Sequence, residues 1–183
     1  SLRQLITNAP HFIPSVLPLM IKAIDDDQKW VRPQAAEILG QIGSPAVLAV
    51  PRLITALKDD DEGFRRVTIS ALMRIAPEDE LVIKEVLGAI TDSHVLVRAA
   101  AAEALGNAPA NDQVLAVLSQ AVSDPRHEVR LAAINSLTRF GPKAKAALPA
   151  LATAQQDRFL SVRGAANFAL QKTKSDPPTS EQD

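Results

Sequence analysis

The stretch Thr91 to Pro109, TDSHVLVRAAAAEALGNAP, decides the fold, because related segments recur along the chain at a nearly constant distance. In this copy Asp92 is followed by five residues and then by Arg98, and Val97 precedes the arginine. The same spacing recurs so that the arginines step by about 33 residues. A fixed period of this length is typical of a solenoid of stacked repeats. The pairs are Asp26/Arg32, Asp59/Arg65, Asp92/Arg98, Asp124/Arg130 and Asp157/Arg163.

Small and apolar residues follow each of these arginines at helical intervals, which places them on one face of an amphipathic helix. One such unit cannot bury its apolar face alone, so the units must stack on one another. In the copy that contains Arg98 these residues are Val97, Ala101, Ala104, Leu105 and Ala108.

Composition limits the classes of function. The chain of 183 residues is 46% hydrophobic but only 3% aromatic, so its helices must pack closely through small side chains. It has no Cys, which excludes disulfides, thiolate metal sites and Cys nucleophiles and fits a reducing compartment. We therefore expect a cytoplasmic protein. No apolar run approaches the roughly 20 residues that span a bilayer, and a net charge of −1 gives no overall attraction to nucleic acid.

The repeats predict one solenoid domain over residues 1–174, with repeats starting near 26, 59, 92, 124 and 157 and a partial repeat at 1–24. Residues 175–183, SDPPTSEQD without its first letter's helix, predict a disordered tail. The partial first repeat and the missing initiator Met predict that the chain is a segment of a longer protein. The fifth repeat has no recognisable second helix.

Proline and its neighbours predict where the helices are interrupted. In repeat one we expect helices at about 28–42 and 46–58, with Ser44 as the N-cap and Pro45 at the first helical position. Pro51 then lies inside the second helix and should kink it. Pro18 and Pro149 occupy matching places. In repeat two the spacing favours Arg65 over its neighbour as the repeated arginine.

The pattern DxxxxVRxxAAxALGxxG, followed by L-P-x-L or V-P-x-L, resembles the HEAT repeat family, in particular its short variant first described in phycobilin lyases. The resemblance implies an all-α fold, a right-handed α-α superhelix (HEAT-like solenoid) of about five stacked helix pairs, with second helices on the concave side. It also implies a scaffold or adaptor more often than an enzyme. The match is most complete at Asp92, Val97, Arg98, Ala101, Ala102, Ala104, Leu105 and Gly106.

The five Asp/Arg pairs predict a structural feature, which we call the ladder. An Asp at a helix start caps free backbone N–H groups, and an Arg one and a half turns later can bond that loop or its neighbour. Catalytic and metal sites are not predicted. His11, His94 and His127 are too scattered to hold a metal, and we expect no cofactor.

Two surfaces are candidate partner sites. The rim patch comprises the apolar residues Trp30, Leu96 and Phe159, which lie shortly before the ladder arginines and alternatively pack under the preceding loop. The basic ridge consists of cations on the second helices, where an acidic peptide or a phosphate backbone could bind. Its residues are Lys22, Arg52, Lys84, Lys143 and Lys145.

These observations predict a non-catalytic protein-interaction or scaffold module whose partner is another protein. A bilin lyase or isomerase-like subunit is the alternative, although bilins need aromatics along a pocket and the chain has one Trp and no Tyr. Phosphate-backbone binding to nucleic acid is a further, less favoured alternative, and we expect no membrane association. The solenoid ends should expose apolar faces, so we also expect self-association.

Overall fold

The chain forms a stack of helices in a computed structural model that describes residues 10–175. Within this range every regular element is helical. The α-helices are α1 (Ile13–Ala23), α2 (Val31–Ile42), α3 (Val50–Ala56), α4 (Glu62–Ile75), α5 (Glu80–Gly88), α6 (Val95–Leu105), α7 (Asp112–Ala121), α8 (His127–Phe140), α9 (Leu148–Ala154) and α10 (Leu160–Lys174).

The even-numbered helices are the first helices of the repeats and the odd-numbered helices are the second helices. Each first helix packs on the first helix of the next repeat, and each second helix packs against the first helix that follows it. This order is that of an all-α repeat solenoid. One leucine per repeat, seven residues after the ladder arginine, is buried in the centre of the stack. These leucines are Leu39, Leu72, Leu105, Leu137 and Leu170.

The layer of first helices is tightly packed because small side chains allow the helices to approach one another. A Cβ added to Gly40 would lie 2.8 Å from the Cα of Ala71 on the next first helix. A Cβ added to Gly106 would lie 2.6 Å from the Oγ of Ser136, which donates a hydrogen bond to the carbonyl oxygen of Ala102 at 2.8 Å. The Ala-rich composition is therefore used at these contacts.

Side-chain caps fix the start of three helices. The Asp61 carboxylate accepts the backbone N–H of Phe64 at 2.8 Å before α4, and Asp79 accepts from two N–H groups before α5. Asn111 accepts the N–H of Val114 at 2.9 Å before α7. Each cap satisfies backbone groups that the first helical turn leaves without a partner.

The second helices of repeats one and four differ from the prediction. Each begins with a 3₁₀ segment, Ser44–Ala49 or Gly141–Ala147, and continues as a short α-helix. Ser44 makes no side-chain cap. Pro51 and Pro149 stand in the first turn of α3 and α9, where a missing N–H costs no helical bond, so the predicted kink at these prolines is wrong. Pro18 does lie inside α1.

Helix α10 ends the described part of the solenoid. Residues 1–9 of the partial repeat and the predicted tail beyond residue 175 lie outside the described residues, and the division into a domain of residues 1–174 stays a prediction. The outward face of α10 differs from the apolar face that we expected. Asn167 and Gln171 are exposed there, whereas the residues that match Asn167 on the other first helices are buried: Ala36, Ile69, Ala102 and Ile134.

Candidate protein-binding surface

The ladder has the same geometry at its three inner rungs. The Nε and Nη2 atoms of Arg98 donate to the two carboxylate oxygens of Asp124 in the next repeat, at 2.9 and 3.2 Å. Its Nη1 atom donates to the carbonyl oxygens of Asp92 and Ser93 at the start of its own repeat. Arg65 holds Asp92 in this way and Arg130 holds Asp157. Each arginine thus ties its own loop to the following loop through charge-assisted bonds.

Each ladder aspartate also closes a turn of its own loop. Asp92 Oδ1 accepts the backbone N–H of His94 at 2.8 Å, and Asp124 Oδ1 accepts that of Arg126 at 2.8 Å. The carboxylate is therefore already oriented when the arginine of the preceding repeat binds it.

The shared bonds change the proton affinities of these groups. Hydrogen bonds from Arg130 lower the pKa of Asp157 below its ordinary value, although partial burial acts in the opposite direction. Hydrogen bonds to Asp124 raise the pKa of Arg98, again against burial. Charged partners on both sides of these rungs explain why such side chains lie in half-buried positions without destabilising the stack.

The first rung is irregular. Arg32 reaches Asp59 with one atom only, Nη1, at 2.5 Å, and its guanidinium lies over the ring of the buried Phe64 at 5.1 Å from the ring centre. Its Nε atom is buried without a hydrogen-bond partner. Sequence spacing alone cannot distinguish this rung from the inner ones, since both share the same residue types.

The rim patch does not form one surface. Trp30 and Leu96 are exposed, but Gly63 stands between them at the matching position of repeat two. Phe159 is half-buried, and its ring stacks on that of His127 with centres 4.2 Å apart. The guanidinium groups of Arg130 and Arg158 lie over the Phe159 ring at 5.7 and 4.9 Å. Phe159 therefore takes part in packing between loops.

The basic ridge is also divided. Lys22 and Lys84 are exposed on α1 and α5, whereas Arg52 on α3 forms an ion pair with Asp25. Lys143 and Lys145 are exposed but belong to the 3₁₀ segment before α9, not to a second α-helix. The five cations thus occupy different positions of their repeats and give scattered positive charge on a largely neutral surface.

A row of apolar side chains that the sequence did not single out lies on the same second-helix layer. Leu48 and Leu81 are 73% and 52% exposed and each lies 11 residues before a ladder aspartate, so they match in neighbouring repeats. The row continues with Gln113 and Ala146, which are uncharged. We call the exposed faces of the second helices that share this row the second-helix surface. The signal that could have found it is the pair of leucines at one repeat position next to Pro51 and Pro149.

No metal site or membrane span emerges from this geometry. In residues 10–175 no group of three or more His, Asp or Glu side chains is arranged to hold a metal ion. None of the described helices is both long enough and apolar enough to cross a bilayer.

Comparison with known proteins places this architecture in a family. The profile described as HEAT repeats matches residues 4–73 and 83–171. The chain belongs to the HEAT repeat family. No curated protein sequence matches this HEAT repeat chain.

Solved structures similar to this HEAT repeat chain include natural and designed repeat proteins. A designed armadillo repeat protein in complex with the peptide (KR)4 has a TM-score of 0.67 and 20% identity, over 94% of this chain and 90% of that chain. The complex of CpcE and CpcF of phycocyanin lyase from Nostoc sp. PCC7120 has a TM-score of 0.67 and 25% identity, over 85% of this chain and 98% of that chain. The armadillo likeness shows the fold alone.

Proposed function

We propose that the chain is a non-catalytic protein-binding module that holds a partner protein on its second-helix surface. The observation that supports this most is the alignment of exposed Leu48 and Leu81 at one repeat position. Large apolar side chains that are aligned and exposed mark protein-binding sites more often than isolated ones do. A repeat solenoid also presents the same side-chain position at regular steps, which suits an extended segment or a helix of a partner.

The charges around the leucines favour an acidic partner segment. Lys84 lies three residues after Leu81 and is therefore its neighbour on the same face of α5. Lys22 and Lys143 add positive charge at the two ends of the surface, while the exposed residues of α9 carry none. The leucines would supply buried apolar area and the lysines would attract the partner over a longer range.

The test uses a partner captured from the source cell with the folded chain and then purified. The double variant Leu48→Asp/Leu81→Asp should bind it at least about tenfold more weakly, a change of roughly 1.4 kcal/mol. The matched control is Leu96→Asp, which places the same charge on the rim patch. Unchanged binding by the double variant together with loss in the control would refute the second-helix surface in favour of the rim.

The basic residues have their own test. Lys84→Glu should weaken binding of the same partner and reduce the salt dependence of its affinity, since the Debye length falls to about 8 Å near physiological salt. Lys174→Glu, on the exposed last turn of α10, is the control. Equal effects of the two charge reversals would mean that only net charge matters.

The bilin lyase-like subunit is kept as a second candidate because of the likeness to the CpcE and CpcF complex. A bilin chromophore mixed with the chain should then shift its absorbance spectrum, whereas the protein-binding proposal predicts no shift. Nucleic-acid binding is tested by duplex DNA in the same way, with salt-dependent retardation as the positive result. A cytoplasmic location also belongs to the proposal and is supported by the absence of Cys.

A further inference from the structure

Arg163 is a ladder arginine whose outer edge has no carboxylate. Its Nη1 atom donates to the carbonyl oxygens of Asp157 and Arg158 at 2.8 and 3.2 Å, the same anchorage that Arg98 has in repeat three. At the inner rungs the remaining edge, formed by Nε and Nη2, holds an aspartate. For Arg163 no acidic side chain of residues 10–175 occupies that edge. The group is held in a binding geometry without its ligand.

Asp26 shows the complementary situation at the other end of the ladder. Its Oδ1 atom accepts the backbone N–H of Gln28 at 2.9 Å, the same turn that orients Asp92 and Asp124. The residue is exposed, and within the described part of the chain no arginine or lysine pairs with it. Asp26 is therefore a ladder aspartate that is oriented and unpaired.

We propose that Arg163 of one copy binds Asp26 of a second copy, so that copies of the chain join head to tail. The three inner rungs show the geometry of this contact between neighbouring repeats, with two parallel N–H···O bonds from one guanidinium to one carboxylate. Because donor and acceptor lie on different surfaces, the contact is heterologous, and each pair of copies keeps a free donor and a free acceptor.

The surroundings of Arg163 determine the character of the contact. Asn167 and Gln171 line the outward face of α10, and Leu160, one turn before Arg163, is 74% exposed. A mostly polar face with one exposed leucine does not drive a broad apolar association. The contact should consequently be weak, specific for the guanidinium–carboxylate pair and sensitive to salt. It uses neither Leu48 nor Leu81 and is independent of the proposed partner site.

Sedimentation velocity of the 183-residue chain over a wide concentration range tests the proposal. The wild-type chain should show concentration-dependent association that weakens as salt rises. Arg163→Asp and Asp26→Arg should each reduce the association constant at least about tenfold, because each places like charges at the contact. An equimolar mixture of the two variants should restore association, since every contact in it again pairs an acidic with a basic side chain.

Further variants separate the contact from folding and from the partner site. Asp26→Asn keeps an acceptor for the Gln28 N–H and should lose association without a change in the thermal midpoint, whereas Asp27→Asn, its exposed neighbour, should associate like the wild type. Leu48→Asp/Leu81→Asp should also self-associate normally. A wild-type chain that stays monomeric at every concentration, or a mixture that fails to restore association, would overturn the proposal.

Discussion

The two layers of the solenoid are built differently, although each repeat contributes one helix to both. First helices α4 and α8 are 14 residues long, are buried against their neighbours and carry the ladder. Second helices α3 and α9 are 7 residues long, follow 3₁₀ segments and leave several side chains exposed. The difference teaches that close packing and charged cross-links concentrate stability in one layer. The other layer can then vary its exposed residues at little cost in stability.

The largest effect expected from this difference is on core packing. Leu137→Ala on α8 removes a side chain with no exposed surface and should lower the free energy of unfolding by about 2–5 kcal/mol. Leu48→Ala on the second-helix surface makes the same chemical change at an exposed site and should stay within about 0.5 kcal/mol. Urea denaturation of both variants measures the difference. Similar losses would show that the second layer is as important for stability as the first.

The ladder should give the next largest effect. Arg98→Ala breaks a half-buried fork to Asp124 and two bonds to its own loop, and should cost about 1–3 kcal/mol. Arg126→Ala is the matched control, because this arginine is exposed and pairs only with Glu128 two residues away. Equal denaturation midpoints for the two variants would contradict a stabilising role for the ladder.

A smaller effect is expected from pH. Because Arg130 holds the pKa of Asp157 below its ordinary value, the unfolded chain takes up this proton more readily than the folded chain. The carboxylate therefore stabilises the fold above about pH 4, the ordinary aspartate pKa, and this contribution is lost as pH falls through the lower folded pKa. Asp157→Asn should flatten that part of the stability profile, and Asp27→Asn should leave it unchanged. A profile as steep as that of the wild type would exclude Asp157 as a contributor.

The sequence predicts most of the fold because the repeat period is set by buried residues. The period selects Arg65 over Arg66, and in the structure Arg65 is the residue that binds Asp92. The seven-residue offset of Leu105 from Arg98 likewise places it in the core. Both features depend on local spacing, which the chain states directly.

The candidate surface is harder to predict, since exposure depends on how repeats pack against one another. Leu48 and Leu53 are both leucines near the start of the same second helix, yet Leu53 is buried and Leu48 is exposed. Phe159 has the composition of a surface anchor but stacks on His127 from the preceding repeat. Proline near a helix start gives two readings, a kink or a first-turn residue, and the 3₁₀ segment before Pro51 decides between them.

The central claim is that recognition belongs to the second-helix layer while stability belongs to the first. The most direct measurement determines, for the captured partner, both the affinity and the unfolding midpoint of Leu48→Asp/Leu81→Asp. The account predicts at least about tenfold weaker binding with a midpoint like that of the parent chain. Binding equal to that of the parent, or weaker binding that is accompanied by a loss of fold stability, would contradict the separation of the two layers.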